Sequence, residues 1–201
     1  ALEINHWCAG EVMYQGTDMR TGSALEIYRS GVGRCGEEAV FVVNVMRSAG
    51  IPARPVYVPR WSHCDDNHAW VEVWCDGDWH YLGACEPEAV LDKGWFTNAA
   101  SRAMMIGSRW YDRAMPDEKV IGKDGMNRII NLLGKYAKTR WITITVEDLD
   151  GTPAAGAKVR AEVMNYGEFS PIAIMEADKN GCISFETGFG SLLICAVYDG
   201  A

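Results

Sequence analysis

From Glu37 to Ala49 the apolar positions Ala39, Val40, Val42, Val43, Val45 and Met46 fill most of a helical circumference. That pattern predicts a deeply buried helix, closed by Gly50 as a C-terminal cap with Pro52 just beyond. Its β-branched residues leave it locally ambiguous with a strand. Glu37 and Glu38 suit the positive end of a helix dipole. Upstream, Trp7, Val12, Tyr14, Leu25, Ile27 and Tyr28 recur unevenly and suggest one or two helices in residues 1–30. Downstream, "ARPVYVPRW" is extended, and "HAWVEVWC" and "DWHYLG" are aromatic and β-branched runs meeting at Asp76-Gly77, a hairpin signal. Residues 89–135 read as irregular and helical. From Arg140 short alternating strands separated by turn residues ("WITITVEDLDG", "AKVRAEVMNY", "CISFETG") predict a small β-sandwich. The fold class is therefore α+β, with one domain over 1–140 and a β module over 141–201. The module reads as incomplete near Ala201. Cys182 and Cys195 are expected in its core.

The chain has 201 residues, 48% of them hydrophobic, so a substantial core is available and disorder is not expected. A net charge of −8 argues against nucleic acid and against anionic membranes as partners. No apolar run approaches the ~18 residues of a spanning helix. Seven cysteines, an odd number without a CxxC pair, leave the redox compartment unreadable. The chain opens on Ala1 rather than Met, which suggests a trimmed piece whose leader is missing, and export to the periplasm or cell surface is the expectation.

Candidate chemistry centres on "SGVGRCGEEAV", where Cys35 stands between Gly33 and Gly36 at the head of the predicted buried helix. Unsatisfied N–H groups and a positive partial charge at a helix start favour thiolate and lower a cysteine's pKa. The flanking glycines leave room for a substrate carbonyl. The plainer alternative is a small apolar residue packed at a helix entry. A nucleophile needs a base, and "DDNHAWVEV" offers His68 at the start of a predicted strand.

Taken together, "GRCGEEA", "AGIPAR", "NHAWVEVW" and "GDWHYLG" resemble the transglutaminase-like superfamily, relatives of the papain-like cysteine proteases, over roughly residues 30–90. The resemblance implies a central helix on an antiparallel sheet, Cys35 and His68 as a catalytic pair, no cofactor, and a peptide or other amide as substrate. It is to bacterial-type members, and so implies hydrolysis more than crosslinking. No ligand cluster for the Ca²⁺ of the animal crosslinking enzymes is visible. The third residue of the family, an Asp, is expected four positions after Trp79, where this chain has Gly83. Glu86 and Glu88 are the nearest acids. A two-residue turn at Asp76-Gly77 places Cys85 and Gly83 on the side of His68, whereas a three-residue turn or a bulge brings Glu86 there. Glu86 as the orienting acid, Glu86 as a solvated loop acid, a backbone carbonyl in its place, and a retired site that only binds all stay open.

Other groups carry less. His63, Cys64, Asp65, Asp66, His68, Cys75, His80 and Cys85 contain metal-ligating atoms, but their spacing fits no standard zinc pattern, and no metal is expected. Tyr57, Arg60, Trp61 and Trp70 are candidate substrate-binding residues near the His loop. Trp70, Trp74 and Trp79 are expected between hairpin and helix. "GWF" at Gly94–Phe96 has no assigned chemistry, and "MNYGEF" at Met164–Phe169 suggests sandwich packing. The turn and strand of "GTPAAGAKV" resemble the carboxypeptidase regulatory-like sandwiches. The alternative function, from a different class, is a non-catalytic module that binds peptide or glycan.

Overall fold

The computed structural model describes residues 1–16, 21–111 and 120–198, and the fold is α+β with few helices and mostly antiparallel sheets. Two compact units divide the chain. The first combines Ala1–Tyr57 with His68–Thr97; the second combines Val58–Asn67 with the chain from Asn98 onward.

The first unit begins with α1 (Leu2–Glu11), β1 (Met13–Tyr14), α2 (Ala24–Ser30) and β2 (Val32–Gly33). The two expected helices are both present. The strands on either side of α2, β1 and β2, pair in parallel, fastening the N-terminal segment to the backbone just before Cys35. The buried helix is α3 (Cys35–Ser48), which starts two residues earlier than its apolar pattern indicates. Its end matches expectation: Gly50 adopts φ +80, and the Ile51 N–H reaches back to the Met46 carbonyl. Ala39, Val42, Val43 and Met46 of α3 share one core with Val71 and Val73 of β4 (His68–Cys75) and Leu82 of β5 (Asp78–Leu82). The sheet order in this unit is β5-β4-β3, with β3 at Ala53–Val58.

The β4–β5 hairpin closes on two residues. Cys75 pairs with Asp78, and Asp76 and Gly77 both have positive φ, 51° and 89°. The three-residue alternative is therefore overturned. On the sheet face away from α3, Arg54 donates to the buried Glu72 carboxylate at 2.6 Å and lies over the Trp79 ring at 4.1 Å. This pair joins the "PAR" and "WVEV" motifs. Trp74 and Trp79 meet edge to face on this side of the sheet, and Trp74 is 42% exposed, so neither packs between hairpin and helix as expected.

In the second unit the stretch read as irregular and helical contains strands. Besides the short α4 (Thr97–Ala100) and a 3-10 turn at Leu133–Lys135 it holds β6 (Gly107–Trp110), β7 (Val120–Asp124) and β8 (Asn127–Asn131). The β7–β8 hairpin turns through Gly125 at φ +58, a glycine-first turn, and each strand is too short to show its alternation in sequence. Beyond it, β10 (Lys158–Asn165), β11 (Glu168–Glu176) and β13 (Leu193–Val197) form one sheet, while β9 (Thr139–Thr145) and β12 (Cys182–Gly188) form another. Val159, Ala161, Val163, Ile172, Met175, Ile183 and Phe185 close a common core between these strands, and Met104 and Met105 join it. Cys182 and Cys195 are only half-buried: Ile183 and Phe185 take the inward positions of β12, and Cys195 on β13 accepts from the Arg160 guanidinium at 3.3 Å. The expected incomplete end at Ala201 lies outside the described residues.

Loop 58–67 is tied within this unit to the end of β10, where Asp65 accepts from the Tyr166 N–H at 2.6 Å. Asn165, 1% exposed, donates to the carbonyls of Trp61, Cys64 and Asp66 and accepts from the Asp66 N–H. Asp66 has φ +118, a strained value for a residue with a side chain. Met164, Tyr166 and Phe169 are exposed, so "MNYGEF" presents an aromatic surface instead of packing into the sandwich, while its Asn165 anchors a loop.

Candidate active site

Cys35 is the first residue of α3. Glu37 accepts from the Arg34 N–H at 3.2 Å and from the Gly22 N–H at 3.0 Å, which fixes the entry to the helix. Gly33 is required by this packing: a Cβ there would lie 3.1 Å from the Glu37 Cβ. The Cys35 sulfur receives the backbone N–H groups of Ala69 and Gly36, so the head of α3 and the first turn of β4 meet at the thiol. Contrary to the helix-dipole expectation, the thiol is pushed up from its ordinary value. Burial is the largest cause; the two N–H groups and Arg34 oppose it, and the charge of Glu38 adds to it.

His68 opens β4 and is 5% exposed. Its ring lies 5.9 Å from Trp70, 4.9 Å from Phe96 and 4.6 Å from Trp95. Nε2 faces Oε2 of Glu86 at 3.9 Å.

The route that brings Glu86 to His68 is neither of the two hairpin registers. Regular pairing ends at Val71 with Leu82. The chain then folds through a tight turn in which the Glu86 N–H bonds the Gly83 carbonyl and Cys85 sits at φ +56. Glu86 is carried back over Gly83. A Cβ at position 83 would collide with Oε2 of Glu86 and lie 2.8 Å from its Cβ. The acid thus fills the space that a side chain at position 83 would occupy.

Two residues outside the sequence reading support this turn. Asn5 of α1, 1% exposed, donates to the Gly83 carbonyl at 2.9 Å and accepts from the Cys85 N–H at 3.1 Å. Trp95 donates its indole N–H to Oε1 of Glu86 at 3.0 Å. A buried-type Asn inside an apolar helix and the "GWF" triplet were the available signals. Neither names a partner about 80 or nine residues away.

The acids here are electrostatically coupled. Glu38, 3% exposed, is pushed up to about 8 by burial and then by the charge of Glu86. Glu86 is itself raised by burial, against the lowering effect of the Trp95 N–H. Burial also raises the thiols of Cys8, to about 11, and of Cys85. Among the described residues no group of three or more His, Cys, Asp or Glu side chains is arranged to hold a metal ion.

The other sequence candidates fall in different places. Trp70 is fully buried, stacks at 4.7 Å on Phe96 and backs His68 without exposing a surface. Tyr57 lies on β3, half-buried. Arg60 and Trp61 belong to the second unit, where Arg60 donates to the Pro59 carbonyl and Trp61 is 3% exposed. His80 pairs with Asp92 at 2.6 Å.

Residues 1–84 match the model of the Transglutaminase-like superfamily. Among solved structures, one called "Putative Cysteine Protease" from Cytophaga hutchinsonii is 15% identical, with a TM-score of 0.38; the alignment covers 100% of this chain and 45% of that one. This chain therefore spans less than half the length of that protein. No curated protein matches the sequence. No helix among the described residues is long and apolar enough to cross a membrane.

Proposed function

We propose that the chain carries a cysteine-nucleophile amide hydrolase site, with Cys35 as nucleophile, His68 as general base and Glu86 as the acid that orients the imidazole. One observation carries this reading: the head of α3, the start of β4 and the turn after β5 converge, so that Cys35 bonds the N–H next to His68 while His68 faces Glu86. The superfamily match over residues 1–84 supports a cysteine-hydrolase kind of chemistry.

The raised thiol shapes the mechanism. Cys35 begins as a thiol rather than a standing thiolate, so His68 removes the proton as the sulfur attacks the amide carbonyl. The carbonyl π electrons move onto oxygen. The Cys35 N–H, an unsatisfied donor type at the first position of α3, is the group assigned to hold that oxyanion. The imidazolium, steadied by Glu86, returns the proton to the leaving amine as the C–N bond breaks, and a thioester remains. Water, deprotonated by His68, attacks it; the C–S bond breaks, the acid leaves and Cys35 regains its proton. A peptide or related amide is the substrate class.

The test is alkylation by iodoacetamide, read by peptide mass, across pH. Cys35 should react near neutrality through proton removal by His68, and His68→Ala should slow it there and move its profile to alkaline pH. The second reading, a module that binds peptide or glycan without turnover, draws on the same raised thiol. It predicts that Cys35 is slow below pH 9 and indifferent to His68→Ala, and that result would end the catalytic proposal.

A further inference from the structure

In segment 94–97 the other residues fix the position of Trp95. Phe96 is fully buried against Trp70 and His68. Gly94 has no room for a side chain, since a Cβ there would lie 2.6 Å from the Phe96 ring. Thr97 accepts from the Gly94 N–H at 3.1 Å and meets the Tyr81 hydroxyl at 3.0 Å. Trp95 turns outward, 64% exposed, yet it is not loose. Its indole N–H is spent on Oε1 of Glu86, and its ring leans on the His68 ring at 4.6 Å with a 53° tilt. The two oxygens of Glu86 are thus divided between Trp95 and His68.

We infer that Trp95 is a positioning residue that holds Glu86 ionised and aimed at His68 while its ring covers one face of the imidazole. An indole N–H only donates, so it bonds an acceptor oxygen and favours the carboxylate over the acid. That matters here because burial pulls Glu86 the other way. Without the donor, the carboxyl is free to rotate about its last torsion and to take up a proton. A protonated Glu86 no longer steadies an imidazolium. Asn5 fixes the backbone of the same turn, so the acid is held at its base by α1 and at its tip by Trp95.

The inference rests on the proposed roles of His68 and Glu86, and its test avoids Cys35 chemistry. Glutamate carboxyl carbons of the full chain are followed by NMR against pH, with Glu86→Gln identifying the Glu86 signal. Trp95→Phe keeps an aromatic ring against His68 and removes the N–H. The Glu86 midpoint should rise by about 0.5–1 unit, while circular dichroism and the thermal midpoint show the fold retained. An unmoved midpoint in a folded Trp95→Phe protein would overturn the inference. Should that variant not fold, the wild-type protein still decides. Its Trp95 indole N–H resonance must shift with the Glu86 midpoint and lose that step in Glu86→Gln; an indole signal flat across pH overturns the inference too. An inert Cys35 beside an intact Trp95–Glu86 titration would sink the hydrolase proposal alone.

Discussion

The turn that presents Glu86 and the loop that leads into His68 solve one problem in opposite ways. Both must fix a short irregular segment next to a regular strand. The 83–86 turn is light: one backbone bond, one positive φ at Cys85, and two side chains, Asn5 and Trp95, that reach it from elsewhere in the first unit. The 58–67 loop belongs to the second unit and is held chiefly by one side chain, with the Tyr166 N–H on Asp65 beside it. Asn165 makes four hydrogen bonds to it from the end of β10, across about 100 residues of sequence, and keeps Asp66 at a φ that Asp rarely adopts. One segment has its strain distributed; the other concentrates it on one anchor. The expectation that residues beyond 141 are independent of the first 140 is therefore not a safe guide to deletion experiments, because Asn165 holds loop residues 61–66.

If the turn serves to put a carboxylate where position 83 would have put one, the largest effects come from moving that carboxylate. Glu86→Gln should lower turnover steeply, approaching the ~10⁴ seen where a triad acid loses its charge. Gly83→Ala should come close to it, because the new Cβ displaces Glu86. Gly83→Asp combined with Glu86→Gly is the sharper experiment, since it restores an acid by the shorter route and removes both the carboxylate and the Cβ that occupy the space it needs. It should recover at least ten-fold over Glu86→Gln. Equal, mild losses for Glu86→Gln and Glu88→Gln would remove both acids from the site.

The anchors come next. Asn165→Ala removes four hydrogen bonds to a loop whose residues 62–67 are exposed, so water replaces part of them and the loss should be about 1–3 kcal/mol of stability. Amide exchange should rise across Trp61–Asp66. Asn5→Ala loses two bonds and should cost about 1–3 kcal/mol, with exchange rising at Cys85 and Glu86 instead. If Asn165→Ala melts no differently from wild type, Asn165 is not the chief anchor of the loop.

These assignments mark how far the sequence is informative. The α3 helix, its Gly50 cap, the Asp76-Gly77 turn and the meeting of the Cys35 and His68 segments depend on local periodicity, turn chemistry and a recognisable motif order, so they are legible. Choosing Glu86 over Gly83 was also legible, though for a reason that did not hold: the hairpin register is regular, and a separate turn does the work. Asn5, Trp95 and Asn165 were not legible. Each is one polar or aromatic residue whose partner is set by tertiary folding, and nothing within ten residues of Asn5 or Asn165 announces it. The strands between Gly107 and Asn131 were missed because four- and five-residue strands carry too few alternations to outweigh a glycine- and charge-rich background.

The smallest effect concerns Glu38, the buried acid behind the turn. Burial, and then the charge of Glu86, raise it from an ordinary 4.5 to about 8. Cys35 and Cys85 lie within reach of its charge, which pushes both thiols up. The folded state thus binds a proton that the unfolded chain releases across this range. Where the native state holds more protons, stability falls as pH rises. The contribution of Glu38 is therefore complete below pH 4.5 and lost as pH climbs through 8. Glu38→Gln cannot ionise, so denaturant melts at pH 5, 7 and 9 should show a shallower decline than wild type. The same variant should ease Cys35 alkylation above pH 8, where the wild-type chain carries the extra negative charge. A decline identical in both proteins would mean that Glu38 is already ionised at neutrality, and that the turn carries two charges side by side rather than one carboxylate and one acid.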